Sequence, residues 1–389
     1  MEKTICRRCR LEEMNDEDAK RVVRDYLETM NPEDRADKAL YSERLHICRN
    51  CDRLINGTCL ECGCYVEIRA ALKKAECPQK KWEKVRESKG CRLCPRNCGA
   101  DRTAGLKGFC GVDGDIMVNR AALHMWEEPC ISGKEGSGTV FFSGCNLHCC
   151  YCQNYDISLG SKGIKISEER LSEIFLELEA KKANNINLVT PTHYVPQIIG
   201  AIKRAKEQGL KLPILYNSGG YESVETVKML NGYVDIWMPD MKYMSSELSG
   251  KYSNAPDYFE KASAAIEEMV SQSALSFDGR GMMKSGVIVR HMTLPGATGD
   301  SKRILRYLHE KYGDRIYISI MSQYTPMKQI LESNEFSELK RKVTKEEYGR
   351  LVEFAEKIGI VNAFVQNGDV AEESFIPDFD GEGVCRESE

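Results

Sequence analysis

Four cysteines fall within eight residues of one segment, FSGCNLHCCYCQN (residues 142–154). Three of them, Cys145, Cys149 and Cys152, follow the spacing C-x3-C-x2-C, which differs from the C-x2-C pairs of zinc ribbons. A four-iron cluster normally takes one thiolate on each iron, so three thiolates from one loop would leave one iron open to a small molecule. The spacing therefore favours a [4Fe–4S] cluster on these three cysteines. A structural zinc ion completed by a distant fourth cysteine is the alternative.

The remaining cysteine of this segment, Cys150, is predicted not to be a ligand. It follows Cys149 directly, and on a short loop two neighbouring side chains diverge and cannot easily face one cluster together. A fourth thiolate would also close the open iron. We therefore expect Cys150 to be a small buried apolar side chain, which is the usual state of a free cysteine.

The whole chain has 389 residues and 18 cysteines. Its first residues, MEKTICRRCR, are charged and do not resemble a signal peptide, and no run approaches the ~20 apolar residues of a membrane span. We therefore expect a cytoplasmic protein, where thiols stay reduced and metal binding explains many cysteines better than disulfides do. The net charge of −4 gives no nucleic-acid signature, because no basic excess is present to neutralise phosphates.

Two further groups of cysteines lie upstream of the loop. The nearer group has the spacing C-x2-C-x3-C-x11-C, which fits a four-thiolate zinc site or an auxiliary four-iron cluster, and its local ligands mildly favour zinc: Cys91, Cys94, Cys98 and Cys110. The N-terminal group would make two zinc sites of four thiolates each: Cys6, Cys9, Cys48, Cys51, Cys59, Cys62, Cys64 and Cys77. A domain this small needs such cross-links, and a structural or protein-docking role is preferred for it.

Alternating apolar runs and amphipathic stretches follow residue 138. The apolar runs are TVFFSG (139–144), INLVTP (186–191), LPILYNS (212–218), VDIWMPD (234–240), GVIVRHM (286–292) and IYISIMSQ (316–323). Helical patterns between them include SEERLSEIFLELEAKKA (167–183) and VPQIIGAIKRAKEQG (195–209). Strands that are apolar on both faces are typical of a parallel sheet buried under helices. The sequence predicts an α/β fold: a partial (β/α)6, TIM-like barrel at 136–389, a four-cysteine extension at 86–135 and a small metal-binding Cys-rich domain at 1–85.

Polar residues stand where these predicted strands end, and in such barrels the chemistry collects at the carboxyl ends of the strands. Apolar or small residues would be commoner in a sheet without a site. The polar strand ends are Cys145, Thr190, Thr192, His193, Asn217, Ser218, Asp240, Lys242, Arg290, His291, Gln323 and Tyr324.

Several motifs together resemble a known family. The segment GCNLHCCYCQN after a strand is similar to the signature of radical S-adenosylmethionine enzymes. From about Cys91 onward the chain resembles pyruvate formate-lyase-activating-enzyme-like proteins, through CRLCPRNCGADRTAGLKGFCGV (91–112), HMWEEPCISG (124–133), FFSGCNLHCCYCQNYDIS (141–158) and NINLVTPTHYVPQII (185–199). The segment at 48–78 resembles a small Cys-rich domain of unassigned role.

The resemblance implies a mechanism and its cofactors. S-adenosylmethionine would chelate the open iron, and one electron from the cluster would give methionine and a 5′-deoxyadenosyl radical that abstracts hydrogen. Flavodoxin or ferredoxin would supply the electron, and the substrate stays unknown, a protein being one candidate. Within this pattern, Tyr151 would lie against the adenine, although simple core packing explains a tyrosine there equally well.

The resemblance also implies contacts at the strand ends. Arg290 would bind the cofactor carboxylate, a group that suits a bidentate guanidinium, although a strand arginine is often an ion-pair partner. Asp240 and Lys242 match the activators' fourth-strand pattern, where a methionine carbonyl, here that of Met238, and the aspartate help bind a monovalent cation. Asn217, followed by Ser218, replaces an aspartate, which weakens that site. Thr190-Pro191-Thr192-His193 replaces the Gly-Gly-Glu turn that holds the methionine amino group.

Two classes of function remain open on the sequence. The first is a radical enzyme, either a glycyl-radical-enzyme activator or another anaerobic modifier of a protein, an RNA or a small molecule. The second is a zinc-stabilised binding or scaffold protein on a barrel that has lost its chemistry. The joint presence of Tyr151, Asp240, Lys242 and Arg290 favours the first.

Overall fold

The computed structural model describes residues 16–36, 38–49, 51–82, 90–366 and 377–386. The chain divides into two compact units, one made of residues 1–92 and 96–108 and the other of residues 93–95 and 109–389. Each unit is described by itself. The predicted domain boundaries at residues 85 and 135 stay predictions, and Cys6 and Cys9 lie outside the described residues.

The N-terminal unit has helices α1 (Asp16–Thr29), α2 (Lys38–Arg49) and α3 (Val66–Ala71) and a hairpin of strands β1 (Leu54–Ile55) and β2 (Thr58–Cys59). Asn56 and Gly57 form the turn with φ of 47° and 75°, and a hairpin turn with two left-handed residues favours Asn-Gly. A small core packs Leu45, Val66 and Ala70 against Trp82. So few apolar residues stabilise a fold weakly, which agrees with the expected need for cross-links.

The second unit contains the strands β3 (Ile116–His124), β4 (Ser137–Phe142), β5 (Ile164–Ile166), β6 (Ile186–Val189), β7 (Ile214–Ser218), β8 (Ile236–Pro239), β9 (Ser276–Phe277), β10 (Met283–Met292), β11 (Tyr317–Met321) and β12 (Ala363–Val365). Its helices are α4 (Pro129–Ser132), α5 (Tyr155–Ser158), α6 (Glu168–Ala180), α7 (Val195–Glu207), α8 (Val224–Met229), α9 (Ser246–Ser253), α10 (Tyr258–Gln272), α11 (Thr298–Tyr312), α12 (Lys328–Glu332) and α13 (Lys345–Lys357). Short 3-10 turns of this unit occupy Thr192–Tyr194, Gly313–Arg315 and Ser337–Leu339, and those of the N-terminal unit occupy Pro32–Asp34 and Arg102–Ala104.

These strands form one mixed sheet. Strands β4, β6, β7, β8, β10, β11 and β12 run parallel in that order, while β3 pairs antiparallel with β4 and β5, and β9 pairs antiparallel with β10. All six predicted strands are present and parallel, so an α/β fold with a parallel-rich sheet is confirmed. Within the described residues no pairing joins the two edge strands β5 and β12, and the (β/α)6 barrel therefore stays a prediction.

Apolar strands and amphipathic helices build the core of this unit. Every residue of β4, β6, β7 and β8 is buried, as the two-faced apolar runs predict. Helix α7 buries Val195, Ile198, Ala201, Ile202 and Ala205, which recur at helical spacing on one face. In the part of the chain that the structure describes, no helix has both the length and the apolar composition to cross a membrane.

Candidate active site

A cavity of about 630 Å³ lies at the carboxyl ends of the parallel strands; we call it the central cavity. Three groups of residues line it. Residues 143–154, which we call the cysteine loop, contribute Cys149, Tyr151 and Cys152. The strand ends contribute Asn217, Asp240, Lys242, Arg290, Met292, Ser319 and Met321. The segment before β4 contributes His124, Trp126, Glu127, Glu128 and Pro129. Asp240, Lys242 and Arg290 therefore meet two of the three predicted cluster cysteines at one cavity. Cys145 does not line it.

The cysteine loop is fixed where it leaves β4. Gly144 has a left-handed φ of 87°, and a Cβ there would lie 2.6 Å from the Cys110 carbonyl oxygen, so only glycine fits. The next amide, that of Cys145, donates to the same carbonyl oxygen at 3.3 Å. Further along, the Ser253 hydroxyl donates to Cys149 Sγ at 3.0 Å. These contacts hold both ends of the loop against the body of the unit.

The three predicted cluster ligands influence one another electrostatically. Burial and the neighbouring thiols of Cys149 and Cys145 raise the pKa of Cys152 to about 12, with Lys242 opposing the increase. Burial also raises the pKa of Cys149, with Lys242 again opposing and Cys145 adding to the increase. The Cys149 and Cys152 thiols therefore resist ionisation unless a positive charge joins them, which is a property of metal-binding thiols.

Cys150 has different surroundings. It is half-buried, it does not line the central cavity, and its amide donates to the Tyr252 carbonyl oxygen at 2.8 Å. Burial raises the pKa of its thiol to about 12, and the charged groups that act on it, besides Cys149, are Glu338 and Lys251. The prediction that Cys150 is not a ligand stays a prediction, and its thiol faces a different set of side chains from those around Cys149 and Cys152.

The donor types at the central cavity fit an iron–sulfur cluster. Cys149 and Cys152 line the cavity, and Cys145 lies close enough for its thiol to raise the pKa of both. Thiolates are the ligands of iron–sulfur clusters. Among the described residues, no three His, Cys, Asp or Glu side chains converge so that they could hold a single metal ion.

A charged network joins the strand ends beside these thiols. Arg290 donates from Nε to Asp240 Oδ1 at 3.2 Å, from Nη1 to Glu127 Oε2 at 3.2 Å and from Nη2 to Asn217 Oδ1 at 2.6 Å. Lys242 Nζ donates to Asp240 Oδ2 at 2.5 Å. Burial would raise the pKa of Asp240, but Lys242 and Arg290 together lower it below its usual value. Asp240 is therefore an ionised bridge between two cations.

This network brings together the predicted residues Asn217, Asp240, Lys242 and Arg290 and adds Glu127, which the sequence analysis missed. Glu127 Oε1 also accepts from the Asn187 side chain at 2.8 Å. In the motif HMWEEPCISG, two adjacent acids precede a buried strand, and this pattern indicates a site residue. The strand-end rule does not select them, because they precede the predicted barrel rather than following one of its strands.

The residues that replace the Gly-Gly-Glu turn form hydrogen bonds within the second unit. Thr192 Oγ1 donates to Glu222 Oε1 at 2.7 Å, and His193 Nε2 lies 2.6 Å from the Ser143 carbonyl oxygen. Thr190 has a left-handed φ of 57°, which is rare for a β-branched residue and would be unstrained for glycine. Ser218 Oγ accepts from the Gly220 amide at 3.3 Å. None of these four lines the central cavity as described, so their roles toward a cofactor stay predictions.

Tyr151 borders the cavity but packs within a cluster of tyrosines. Its ring makes edge-to-face contacts with Tyr243, Tyr252 and Tyr324 at centroid distances of 6.1 to 6.5 Å. Its hydroxyl accepts a hydrogen bond from the Tyr243 hydroxyl at 2.5 Å. The structure thus supplies a packing role for Tyr151, and the adenine contact stays a prediction.

The four upstream cysteines at 91–110 are divided between the two units. Cys91 and Cys98 belong to the N-terminal unit, and Cys94 and Cys110 belong to the second. In the first unit, Cys91 pairs its backbone with Ala100 and Gly99 at 2.9 and 3.1 Å. In the second unit, Cys110 is buried beneath the cysteine loop. A shared zinc or auxiliary cluster on these residues stays a prediction.

In the N-terminal unit, four cysteines line a small cavity of about 20 Å³: Cys48, Cys51, Cys59 and Cys77. Burial and the other three thiols raise the pKa of Cys48 to about 11, with a hydrogen bond to Trp82 opposing the increase. Burial would also raise the pKa of Cys59, but hydrogen bonds from the Cys62 and Glu61 backbones lower it overall, which favours the thiolate at Cys59. Lys81 Nζ donates to Cys51 Sγ at 3.2 Å.

Comparison with known proteins adds two family matches. Residues 131–254 match the model of a 4Fe-4S single cluster domain, and residues 3–82 match a family of unknown function, DUF6171. An uncharacterised protein of Methanocaldococcus jannaschii is 26% identical over 281 residues, which covers 70% of this chain and 76% of that protein. The match to the 4Fe-4S single cluster domain supports an iron–sulfur protein, and the matched residues contain all four cysteines of the loop.

Solved structures give weaker likenesses. Methylornithine synthase (PylB) aligns with a TM-score of 0.40 and 16% identity, over 61% of this chain and 64% of PylB. SuiB of Streptococcus suis, in structures with the precursor peptide SuiA and with S-adenosylmethionine, aligns at TM-scores of 0.38 and 0.37, with 12% and 13% identity. Those alignments cover 56% and 55% of this chain and 46% and 45% of SuiB. At such scores neither protein establishes the fold or the activity of this chain, which spans less than two thirds of either.

Proposed function

We propose that this protein is a radical S-adenosylmethionine enzyme whose [4Fe–4S] cluster is held by Cys145, Cys149 and Cys152. The observation that carries the proposal is the central cavity, where Cys149 and Cys152 stand beside the Asp240–Lys242–Arg290 network. The match of residues 131–254 to a 4Fe-4S domain supports the same proposal. When bound, cluster and cofactor would supply the reductive cleavage that yields methionine and a hydrogen-abstracting 5′-deoxyadenosyl radical.

The residues of the chain would bind and orient the cofactor. Arg290 has its guanidinium fixed by Glu127, Asp240 and Asn217, so its fork is preorganised for a carboxylate. Lys242 lies close enough to the thiols to lower the pKa of both Cys149 and Cys152, and it thereby favours their ligating form. Apolar walls at Phe141, Val189 and Met292 exclude water from reactive groups.

We also propose an electron donor and further metal ions for this protein. Flavodoxin or ferredoxin would reduce the cluster, a monovalent cation would bind at Asp240, and the N-terminal unit would hold zinc and dock a partner. We place the protein in the cytoplasm. The substrate class most in keeping with the resemblance is a glycyl radical enzyme, and another anaerobic modification of an RNA or small molecule is the alternative.

The decisive experiment is anaerobic reconstitution followed by incubation with dithionite and S-adenosylmethionine. We expect a brown protein that forms 5′-deoxyadenosine, because the uncoupled cleavage needs no substrate. A zinc-stabilised scaffold would be colourless, and a colourless preparation that forms no 5′-deoxyadenosine would reject the proposal. Mass spectrometry of host lysate incubated with the active enzyme would then identify the molecule that loses hydrogen.

A further inference from the structure

Glu128 is the buried acid of the central cavity that the charged network does not use. Its side chain is 8% exposed, it lines the cavity, and its Oε2 atom is fully buried without a hydrogen-bond partner among the described residues. An unsatisfied buried carboxyl oxygen is costly, and such atoms usually indicate a missing partner. Burial raises the pKa of Glu128, Arg290 opposes this increase, the neighbouring Glu127 adds to it, and a hydrogen bond between the Glu128 carboxyl group and Ser319 again opposes it.

The backbone holds Glu128 in place. It precedes α4, and its carbonyl oxygen accepts from the amides of Ile131 at 2.7 Å and Ser132 at 3.0 Å. Pro129 follows, with its fixed φ at the first position of the helix. These contacts fix the backbone from which the Glu128 side chain extends.

The cations of the cavity are already paired. Within the described residues, its Lys and Arg side chains are Lys242, bound to Asp240, and Arg290, bound to Asp240 and Glu127. Burial lowers the pKa of His124, the histidine of the cavity, so its ring is neutral. Among the described residues Glu128 therefore forms no salt bridge of its own, and either a proton or the positive charge of a ligand can neutralise it.

The wall of the central cavity is partly aromatic. Trp126 lines the cavity with 64% of its surface exposed, and Phe141 and Phe364 line it as well. Aromatic faces attract cations and pack apolar chains, so together with Glu128 they form a site for a positively charged, partly apolar group.

We propose that Glu128 anchors the ammonium group of an amine-bearing substrate in the central cavity. This inference rests on the proposed function, since the substrate must enter beside S-adenosylmethionine. The Glu128 carboxylate would accept hydrogen bonds from the ammonium nitrogen, with the carbon chain against the aromatic wall. The same chemistry exists in the amino group of S-adenosylmethionine, and the experiment separates the two sources.

The test is calorimetric titration of the reconstituted full-length protein with 2-phenylethylamine and with 2-phenylethanol, its neutral analogue. We expect the wild-type protein to bind the amine at least about tenfold more tightly than the alcohol, because a charge-assisted contact is worth this much. Glu128→Gln keeps the shape but not the charge, and we expect it to bind both probes within about twofold of each other. Glu353→Gln, at an exposed glutamate of α13, should keep the preference.

Three results would overturn the inference. One is a wild-type protein without preference for the amine. Another is a preference that survives in Glu128→Gln. The third is a tenfold loss of S-adenosylmethionine affinity in Glu128→Gln, with amine and cofactor competing, which would assign the carboxylate to the cofactor. Should Glu128→Gln fail to fold, Glu128→Asp keeps the charge and should keep a weaker preference. Iron content and 5′-deoxyadenosine are measured on the same samples, so a failure of the radical chemistry is seen separately.

Discussion

Cysteine side chains have different surroundings in the cysteine loop and in the N-terminal unit. At the loop, Cys149 and Cys152 border a cavity of about 630 Å³ together with charged groups. In the N-terminal unit, Cys48, Cys51, Cys59 and Cys77 border a space of about 20 Å³ over a core of a few apolar residues. A site that leaves room for small molecules is suited to chemistry, and one without room is suited to cross-linking the fold. Substitutions in the two regions should therefore have separable effects.

The largest effect is expected at the loop. Cys149→Ala removes a proposed ligand, so we expect the four-iron absorption and 5′-deoxyadenosine formation to be lost. Cys145→Ala and Cys152→Ala should behave alike. Iron analysis, visible absorption and product chromatography of the anaerobic proteins check this outcome. An active Cys149→Ala protein would contradict the assignment of Cys149 as a cluster ligand.

The next effect is expected at Arg290. Arg290→Ala removes a charge-assisted contact with the cofactor, which is worth about 1.5–3 kcal/mol, so affinity for S-adenosylmethionine should fall about tenfold or more. The same change leaves the buried acids Asp240 and Glu127 without this partner, so the melting temperature should fall as well.

Arg290→Lys separates these two consequences. Lysine keeps a positive charge for the two acids but lacks the planar fork. We expect it to restore most of the melting temperature and to leave cofactor affinity low. Equilibrium binding and thermal unfolding measure the two quantities, with iron content unchanged in both variants. Normal cofactor affinity in Arg290→Lys and Arg290→Ala would leave Arg290 with an ion-pair role alone.

Local patterns predicted six strands of the parallel part of the sheet, but not β3, β5, β9 or β12. Runs that are apolar on both faces predict buried parallel strands, and all six are found. Strand β12 was missed because Ala363–Val365 has only three residues, too few for a periodic signal. Glu127 was missed for another reason. Its partners Asn187, Asn217 and Arg290 lie 60 to 163 residues away, and only the fold brings them together.

A smaller effect on the chemistry is expected from the N-terminal unit. Cys59→Ser removes a thiol whose pKa backbone hydrogen bonds lower, so we expect the zinc of this unit to be lost. The rate of S-adenosylmethionine cleavage should stay within about twofold, because every residue proposed for the radical chemistry belongs to the second unit. Lys74→Ser, at an exposed lysine of the same unit, is the control, and zinc should remain. Loss of the four-iron cluster in Cys59→Ser would contradict a purely structural role.

The smallest effect is expected at Cys150, whose substitution is compared with that of its neighbour Cys149 in the same loop. Its thiol lies among Tyr252, Glu338 and Lys251 rather than at the cavity, so Cys150→Ala should keep the iron and most of the 5′-deoxyadenosine formation. The change deletes one half-buried sulfur atom, and a loss of about 1 kcal/mol in unfolding free energy is expected. Denaturant unfolding and product chromatography measure both quantities beside Cys149→Ala. Because the two residues are neighbours, a general disturbance of the loop would affect both variants equally, whereas ligation affects Cys149 alone. An inactive, iron-free Cys150→Ala protein beside an active Cys149→Ala protein would exchange the two assignments.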